Sequence, residues 1–150
     1  MPCSLMALIV DSHDARRLPR PSLSMRSSFK PRKRDLLLDD DPSMQRLVAR
    51  ILGNQGFRVD VFLTGNQAIA ALKRQAYDVI LLDLMMPNEG GMTVIRHLRA
   101  NDPTSLKRSI LLTASPDSLL DALSGEVETV VQKPFEAQQL IDAVRRMSES

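Results

Sequence analysis

Short apolar runs recur along the chain from Asp35 onward, and polar or glycine-containing segments separate them. The run from Val79 to Leu82 has no polar interruption, which favours a strand that is buried on both faces of a parallel sheet. Arg58–Leu63 instead alternates apolar and polar positions, as a half-buried strand does. The runs that predict strands are Asp35–Leu38, Arg58–Leu63, Val79–Leu82, Ser109–Thr113 and Val127–Val131.

Apolar residues at helical spacing lie between these strands. The first helical face consists of Met44, Leu47, Val48 and Ile51, and Gly53 is predicted to end that helix. The other predicted helices are Gly65–Gln75, Met92–Ala100, Asp117–Leu123 and a last one with Leu140, Ala143, Val144 and Met147 on one face. Strands that alternate with helices predict an α/β fold. We expect a doubly wound, five-stranded parallel sheet with five helices and right-handed crossovers.

Residues 1–34 differ from the rest in composition. They hold eight Lys and Arg against two Asp, whereas residues 35–150 hold twelve against sixteen acids. We therefore predict a basic, disordered or loosely attached tail over 1–34 and a globular domain over 35–150. Within the tail, Met6–Leu18 begins like a strand, so an additional ordered element in this segment is kept as an alternative. The run Lys30–Arg34 is interpreted as solvated charge, with nucleic acid or acidic lipid as the alternative.

Composition excludes several classes of protein. The only cysteine is Cys3, so no internal disulfide can form, which fits a reducing compartment. No apolar run approaches the ~18 residues that a membrane span needs. Aromatic residues make up 3% of the chain, which gives no stacking platform for nucleic acid. These features predict a cytoplasmic protein with an aliphatic core and no membrane partner.

Four of the predicted strands end in a side chain that could take part in chemistry. These side chains are Asp39 with Asp40, Asp83, Thr113 and Lys133. The carboxyl ends of parallel strands share one edge of a sheet, so we expect these groups to meet there. Carboxylates at such distances repel one another unless a cation is bound, and oxygen ligands select a hard cation such as Mg²⁺. One carboxylate could then act as a nucleophile toward phosphorus, with the ammonium and hydroxyl stabilising the transferring group.

The motifs LLLDDDPSM, ILLDLMMPNEGG, ILLTAS and VQKPF stand in this order along the chain. Together they resemble the response-regulator receiver domain of two-component signalling, from Asp35 to about Met147. The resemblance implies a flavodoxin-like receiver fold in which Asp83 accepts a phosphoryl group from a phosphohistidine. It implies that Asp40, Asp83 and the backbone carbonyl of Met85 hold Mg²⁺, with Asp39 assisting through water. It also implies that Thr113 and Lys133 bind the phosphoryl group and that the bond before Pro134 is cis.

One position departs from the family pattern. The family often has Tyr or Phe three residues before the lysine, and here that residue is Val130. Switching would then run through Thr113 and the Ala114–Leu123 segment, or the domain would be a non-switching variant. Two rival functions stay open: a phosphorylation-independent adaptor, and a magnesium-dependent phosphatase with Asp39 as nucleophile and Asp41 as acid.

The resemblance also implies partners. A sensor histidine kinase or a histidine phosphotransfer protein would supply the phosphoryl group. We expect an unidentified downstream protein to bind the face formed by Ala114–Leu123, Val127–Val131 and the last helix. No DNA-binding domain is expected, because the chain ends just after that helix. Apart from self-catalysed phosphoryl transfer and slow autodephosphorylation, we expect no enzymatic activity.

Overall fold

The computed structural model describes residues 32–114, 117, 121, 123 and 125–149. Most of the predicted tail, including the Met6–Leu18 segment, lies outside these ranges. The described strands are β1 (Arg34–Leu38), β2 (Arg58–Phe62), β3 (Val79–Asp83), β4 (Ser109–Thr113) and β5 (Thr129–Gln132). Strand β1 therefore begins one residue before the domain start that the sequence predicts, and β5 lies slightly later than predicted.

All five strands are parallel and hydrogen-bonded in the order β2-β1-β3-β4-β5. The chain moves outward from β1 to β2, returns to the far side of β1 for β3, and then continues outward through β4 and β5. The order of the strands reverses at the β1/β3 pair, and the carboxyl ends of strands at such a point form the natural ligand crevice of this fold class. The predicted doubly wound parallel sheet is confirmed.

The described helices are α1 (Pro42–Asn54), α2 (Gly65–Arg74), α3 (Gly90–Asn101), α4 (Pro103–Lys107) and α5 (Ala137–Ser148). Gly53 lies inside α1 instead of ending it, and the turn that follows is made by Gly56 at φ 91°. The sequence did not predict α4, which Asp102 caps by accepting a hydrogen bond from the Ser105 amide. Most of the predicted helix Asp117–Leu123 lies outside the described residues.

The core has one layer on each face of the sheet. Leu36 and Leu38 of β1 belong to the layer with α2 and α3, whereas Leu37 between them belongs to the layer with α1 and α5. Both faces of β1, β3 and β4 are covered, since all residues of β3 and β4 and all residues of β1 after Arg34 are buried. This double burial explains the continuous apolar runs and leaves the strand ends as the place for polar side chains.

Candidate functional site

Three consecutive acids follow β1, and each has a different environment. Asp39 is fully buried, and its Oδ1 accepts a hydrogen bond of 2.9 Å from the Asp41 amide. Asp40 is exposed. The Asp41 carboxylate accepts a hydrogen bond from the Ser43 amide and so caps α1. Only Asp39 and Asp40 therefore remain for a role at the sheet edge.

Asp83 is the last residue of β3 and is 4% exposed. Its Oδ1 accepts a 2.9 Å hydrogen bond from the Met85 amide, which orients the carboxylate at the start of the following loop. The same loop contains a 3₁₀ turn, Pro87–Glu89, in which Asn88 adopts φ 62°. Helix α3 then starts so close to β3 that a Cβ on Gly91 would lie 2.5 Å from the Asp83 carbonyl oxygen. Only glycine fits there.

Thr113 and Lys133 complete the arrangement from β4 and the loop after β5. Thr113 is buried, and its carbonyl accepts a 2.8 Å hydrogen bond from the Lys133 amide. The Lys133 Nζ lies 3.4 Å from Oδ2 of Asp39 and 3.4 Å from Oδ2 of Asp83. The Lys133-Pro134 bond is cis, as the resemblance implies.

The carboxylates of Asp39, Asp40 and Asp83 can each place an oxygen within 4.8 Å of the others. Burial is the largest cause that raises the pKa of Asp39, and the nearby Asp83 raises that pKa further. The Asp41 amide and the Lys133 ammonium act in the opposite direction. The cluster has more carboxylates than the one ammonium can neutralise, and its oxygen-only donors match the ligand preference of Mg²⁺. The residues present therefore fit this cation.

Every side chain predicted for the site lies at this edge of the sheet. The structure does not favour the phosphatase alternative, because the Asp41 carboxylate caps α1 and is not one of the three carboxylates that cluster at the sheet edge. The sequence did not point to Gln45, whose side chain donates a 2.6 Å hydrogen bond to the Asp39 carbonyl. Its position in the first turn of the helix that follows the acids was the only available signal.

Val130 is half-buried and packs against the core on the α2/α3 side.

Comparison with known proteins agrees with this geometry. The family model of the response regulator receiver domain matches residues 36–145. The chain belongs to this family. The receiver domain is 35% identical over 116 residues to the DNA-binding response regulator MtrA of Mycolicibacterium smegmatis, covering 76% of this chain and 50% of MtrA. It is 33% identical over 115 residues to the transcriptional regulatory protein TrcR of Mycobacterium tuberculosis, covering 75% of this chain and 44% of TrcR. The chain thus spans about half the length of the curated relatives that it matches.

A solved structure supports the same assignment. The receiver domain of sensor histidine kinase PA1611 from Pseudomonas aeruginosa superimposes with a TM-score of 0.71 at 28% identity, covering 80% of this chain and 100% of that one. That structure has a magnesium ion coordinated in its active-site cleft. A sensor protein from Polaromonas also has a TM-score of 0.71, at 29% identity, covering 79% of this chain and 98% of that one. Residues 36–145 of this chain are thus a receiver domain of the two-component response regulator family.

The partner prediction made from the sequence is wrong. It assumed a separate downstream protein and no DNA-binding domain, whereas the relatives are DNA-binding and transcriptional regulators. The prediction failed because it was drawn from a segment that corresponds to only about half of those relatives.

None of the helices that the structure describes has the length and apolar character that a membrane crossing requires. The cytoplasmic localisation stays a prediction.

Proposed function

We propose that this receiver domain accepts a phosphoryl group on Asp83 from a phosphohistidine of a partner protein and changes conformation in response. The observation that carries the proposal is the position of one lysine ammonium, 3.4 Å from Asp83 and 3.4 Å from Asp39, beside a cluster of three carboxylates. A purely adaptor role would not require these groups to converge.

Asp83 has the features of the nucleophile. Its carboxylate lies at the end of the central strand β3, where the buried sheet meets the loops, and the Met85 amide orients it. A carboxylate oxygen of Asp83 would attack phosphorus and form the P–O bond of an acyl phosphate while the P–N bond of the donor breaks. The histidine nitrogen would leave with the bonding electron pair. The protein's task is mainly to position these groups and to stabilise the charge on the phosphoryl oxygens.

Lys133 and Thr113 would stabilise that charge. The ammonium of Lys133 faces the side of the cluster where Asp83 lies, so it can contact a phosphoryl oxygen once one is attached. Thr113 is at the end of the neighbouring strand β4, and its hydroxyl could donate a hydrogen bond to the same group. With Val130 in place of an aromatic ring, a shift of Thr113 would be the main internal response to phosphorylation.

Mg²⁺ would be held by Asp40, Asp83 and the Met85 carbonyl, with Asp39 behind them. When bound, Mg²⁺ neutralises carboxylate repulsion and supplies positive charge for the phosphoryl oxygens. Asp40 is the exposed member of the cluster, so it can exchange water for a cation without opening the core. We propose no turnover of an external substrate beyond loss of the protein's own phosphoryl group to water.

Incubation with acetyl phosphate and Mg²⁺, followed by intact-mass measurement, tests the proposal. We expect one phosphoryl group on the native protein and none on Asp83→Asn. Asp142→Asn is the matched control, because that carboxylate is exposed on α5 and bonds only Gln138 among the contacts described. Equal labelling of native protein and Asp83→Asn would refute Asp83 as the acceptor.

A further inference from the structure

A third buried carboxylate, in addition to those of Asp39 and Asp83, lies at the opposite end of β1 from the proposed phosphorylation site. Asp35 is 0% exposed, and neither of its carboxylate oxygens has a hydrogen-bond partner among the described residues. The strand register places it beside Val59 and Val79, which belong to the core layer under α1 and α5. Buried polar groups almost always have a hydrogen-bond partner, so an unpaired carboxyl in this position requires an explanation.

Two charged side chains act on Asp35. Burial, followed by the nearby Asp78 carboxylate, raises the pKa of Asp35 to about 7, and the Lys33 ammonium opposes that rise. Asp78 is fixed because its Oδ2 accepts a 2.8 Å hydrogen bond from the Arg34 amide. The two neighbours therefore have opposite effects: the Asp78 carboxylate favours the neutral form of Asp35, and the Lys33 ammonium favours the charged form.

Three cations of the adjoining segments have partners other than Asp35. Arg34 and Arg58 pair with Asp60, whose strand neighbour Leu36 belongs to the core layer on the α2/α3 face. Arg145 of α5 donates a hydrogen bond to the Gln55 side chain. Lys33 is the cation whose charge acts on Asp35.

Lys33 has a different acceptor in the structure. Its Nζ donates a 2.6 Å hydrogen bond to the carbonyl of Ser148, the last residue of α5. The final carbonyls of a helix lack partners within the helix, and a lysine that binds one stabilises the last turn. Lys33 lies just before β1, and its bond to Ser148 places its ammonium at the end of α5, the helix that covers the core layer beside Asp35.

We propose that Lys33 and Asp35 form a proton-controlled latch on the end of α5. With Asp35 neutral, the Lys33 ammonium stays on the Ser148 carbonyl and holds the last turn. When Asp35 loses its proton to solvent, the carboxylate attracts the ammonium, because a hydrogen bond between two charged groups is stronger than one to a neutral carbonyl. The Ser148 carbonyl then loses its donor and the last turn of α5 loosens. This latch does not depend on phosphorylation of Asp83.

Isotope-labelled protein titrated from about pH 5.5 to about 8.5 tests the latch by NMR. We expect the Asp35 carboxyl carbon and the Ser148 carbonyl carbon to titrate with one shared midpoint near pH 7. Protection of the amides of Val144 to Ser148 from hydrogen exchange, corrected for the intrinsic effect of pH, should fall by about tenfold across that midpoint. In Asp35→Asn, the Ser148 carbonyl should not titrate.

Two further variants test the latch without a substitution at position 35, so the test does not depend on whether Asp35→Asn folds normally. Asp78→Asn removes the carboxylate that raises the Asp35 midpoint, so the shared midpoint should move to lower pH. Lys33→Gln should leave the Ser148 carbonyl without titration and the last turn poorly protected at every pH. The latch is refuted if Ser148 titrates unchanged in Asp35→Asn. It is also refuted if Asp35 titrates in the native protein while Ser148 does not respond, or if Asp78→Asn leaves the midpoint where it was.

Discussion

The ammonium of Lys133 lies 3.4 Å from Oδ2 of Asp83, across the carboxyl edge of the sheet. The two residues belong to segments that are separated by β4, and Lys133 is held in register because its amide bonds the Thr113 carbonyl. The Lys133 side chain is 19% exposed, so water screens this interaction less than it would screen a surface pair. A charge placed here can therefore act strongly on a phosphoryl group attached to Asp83.

Replacement of Lys133 by Met should slow self-phosphorylation. Loss of one preorganised charge at the transferring group should lower the initial rate with acetyl phosphate by about 100-fold. The rate is measured by intact mass at fixed Mg²⁺, with Lys107→Met, at the exposed end of α4, as the control. A native rate in Lys133→Met would mean that the ammonium serves only to neutralise Asp39.

Asp40 and Asp41 are adjacent but should respond differently to truncation. Asp40→Ala removes a member of the carboxylate cluster and should abolish saturable Mg²⁺ binding, followed by calorimetry or by amide shifts. Asp41→Ala removes the cap of α1, so it should retain Mg²⁺ binding but lower the free energy of unfolding by about 1 kcal/mol. The reverse pattern would place the cation on Asp41 instead.

Gly91 and Gly53 offer a matched pair of glycine-to-alanine changes. A Cβ at Gly91 would lie 2.5 Å from the Asp83 carbonyl oxygen, so Gly91→Ala should displace the loop after β3. We expect lower stability and slower phosphorylation. A Cβ at Gly53, inside α1, meets no atom within 4 Å, and Gly53→Ala should raise the free energy of unfolding by up to about 1 kcal/mol. Denaturant unfolding compares the two, and a neutral Gly91→Ala would show that the loop adjusts without effect on Asp83.

Asp35 should make the stability of the domain depend on pH. Its pKa is raised from 3.8 to about 7 in the folded state, so the folded state binds the proton more tightly than the unfolded chain. The contribution of Asp35 protonation to the free energy of unfolding is fully present below about pH 4 and is lost as pH rises through 7. This contribution is on the order of a few kcal/mol. Urea unfolding of native protein and Asp35→Asn at pH 5, 6, 7 and 8 measures this.

The difference in stability between Asp35→Asn and the native protein should grow in favour of the variant as pH rises. Taking that difference removes the contribution of Asp39, whose pKa is also raised. A difference that stays constant with pH would mean that Asp35 has the same pKa in the folded and unfolded chains. This measurement concerns only the proton on Asp35, so it can succeed even if Lys33 does not move.

Much of the fold followed from the linear pattern because local features decide it. An uninterrupted apolar run can be stable only where both faces of a strand are covered, and the run Ser109–Thr113 coincides with β4 in both of its bounds. Alternation with helices then forces the strands to be parallel, which brings their carboxyl ends to one edge. Asp39, Asp83, Thr113 and Lys133 could therefore be grouped without knowledge of the strand order.

The tertiary structure alone decided which groups touch and which are buried. The order β2-β1-β3-β4-β5 sets the contact of Lys133 with both Asp39 and Asp83, and no local signal encodes that order. Gly91 could be recognised as a turn residue, but its role in the close approach of α3 to Asp83 depends on packing. Asp35 stands in the sequence as an ordinary charged residue before an apolar run. Its burial arises because α1, which follows β1, and α5, from the far end of the chain, together cover that face of β1, and the free energy of a charge depends on everything that surrounds it.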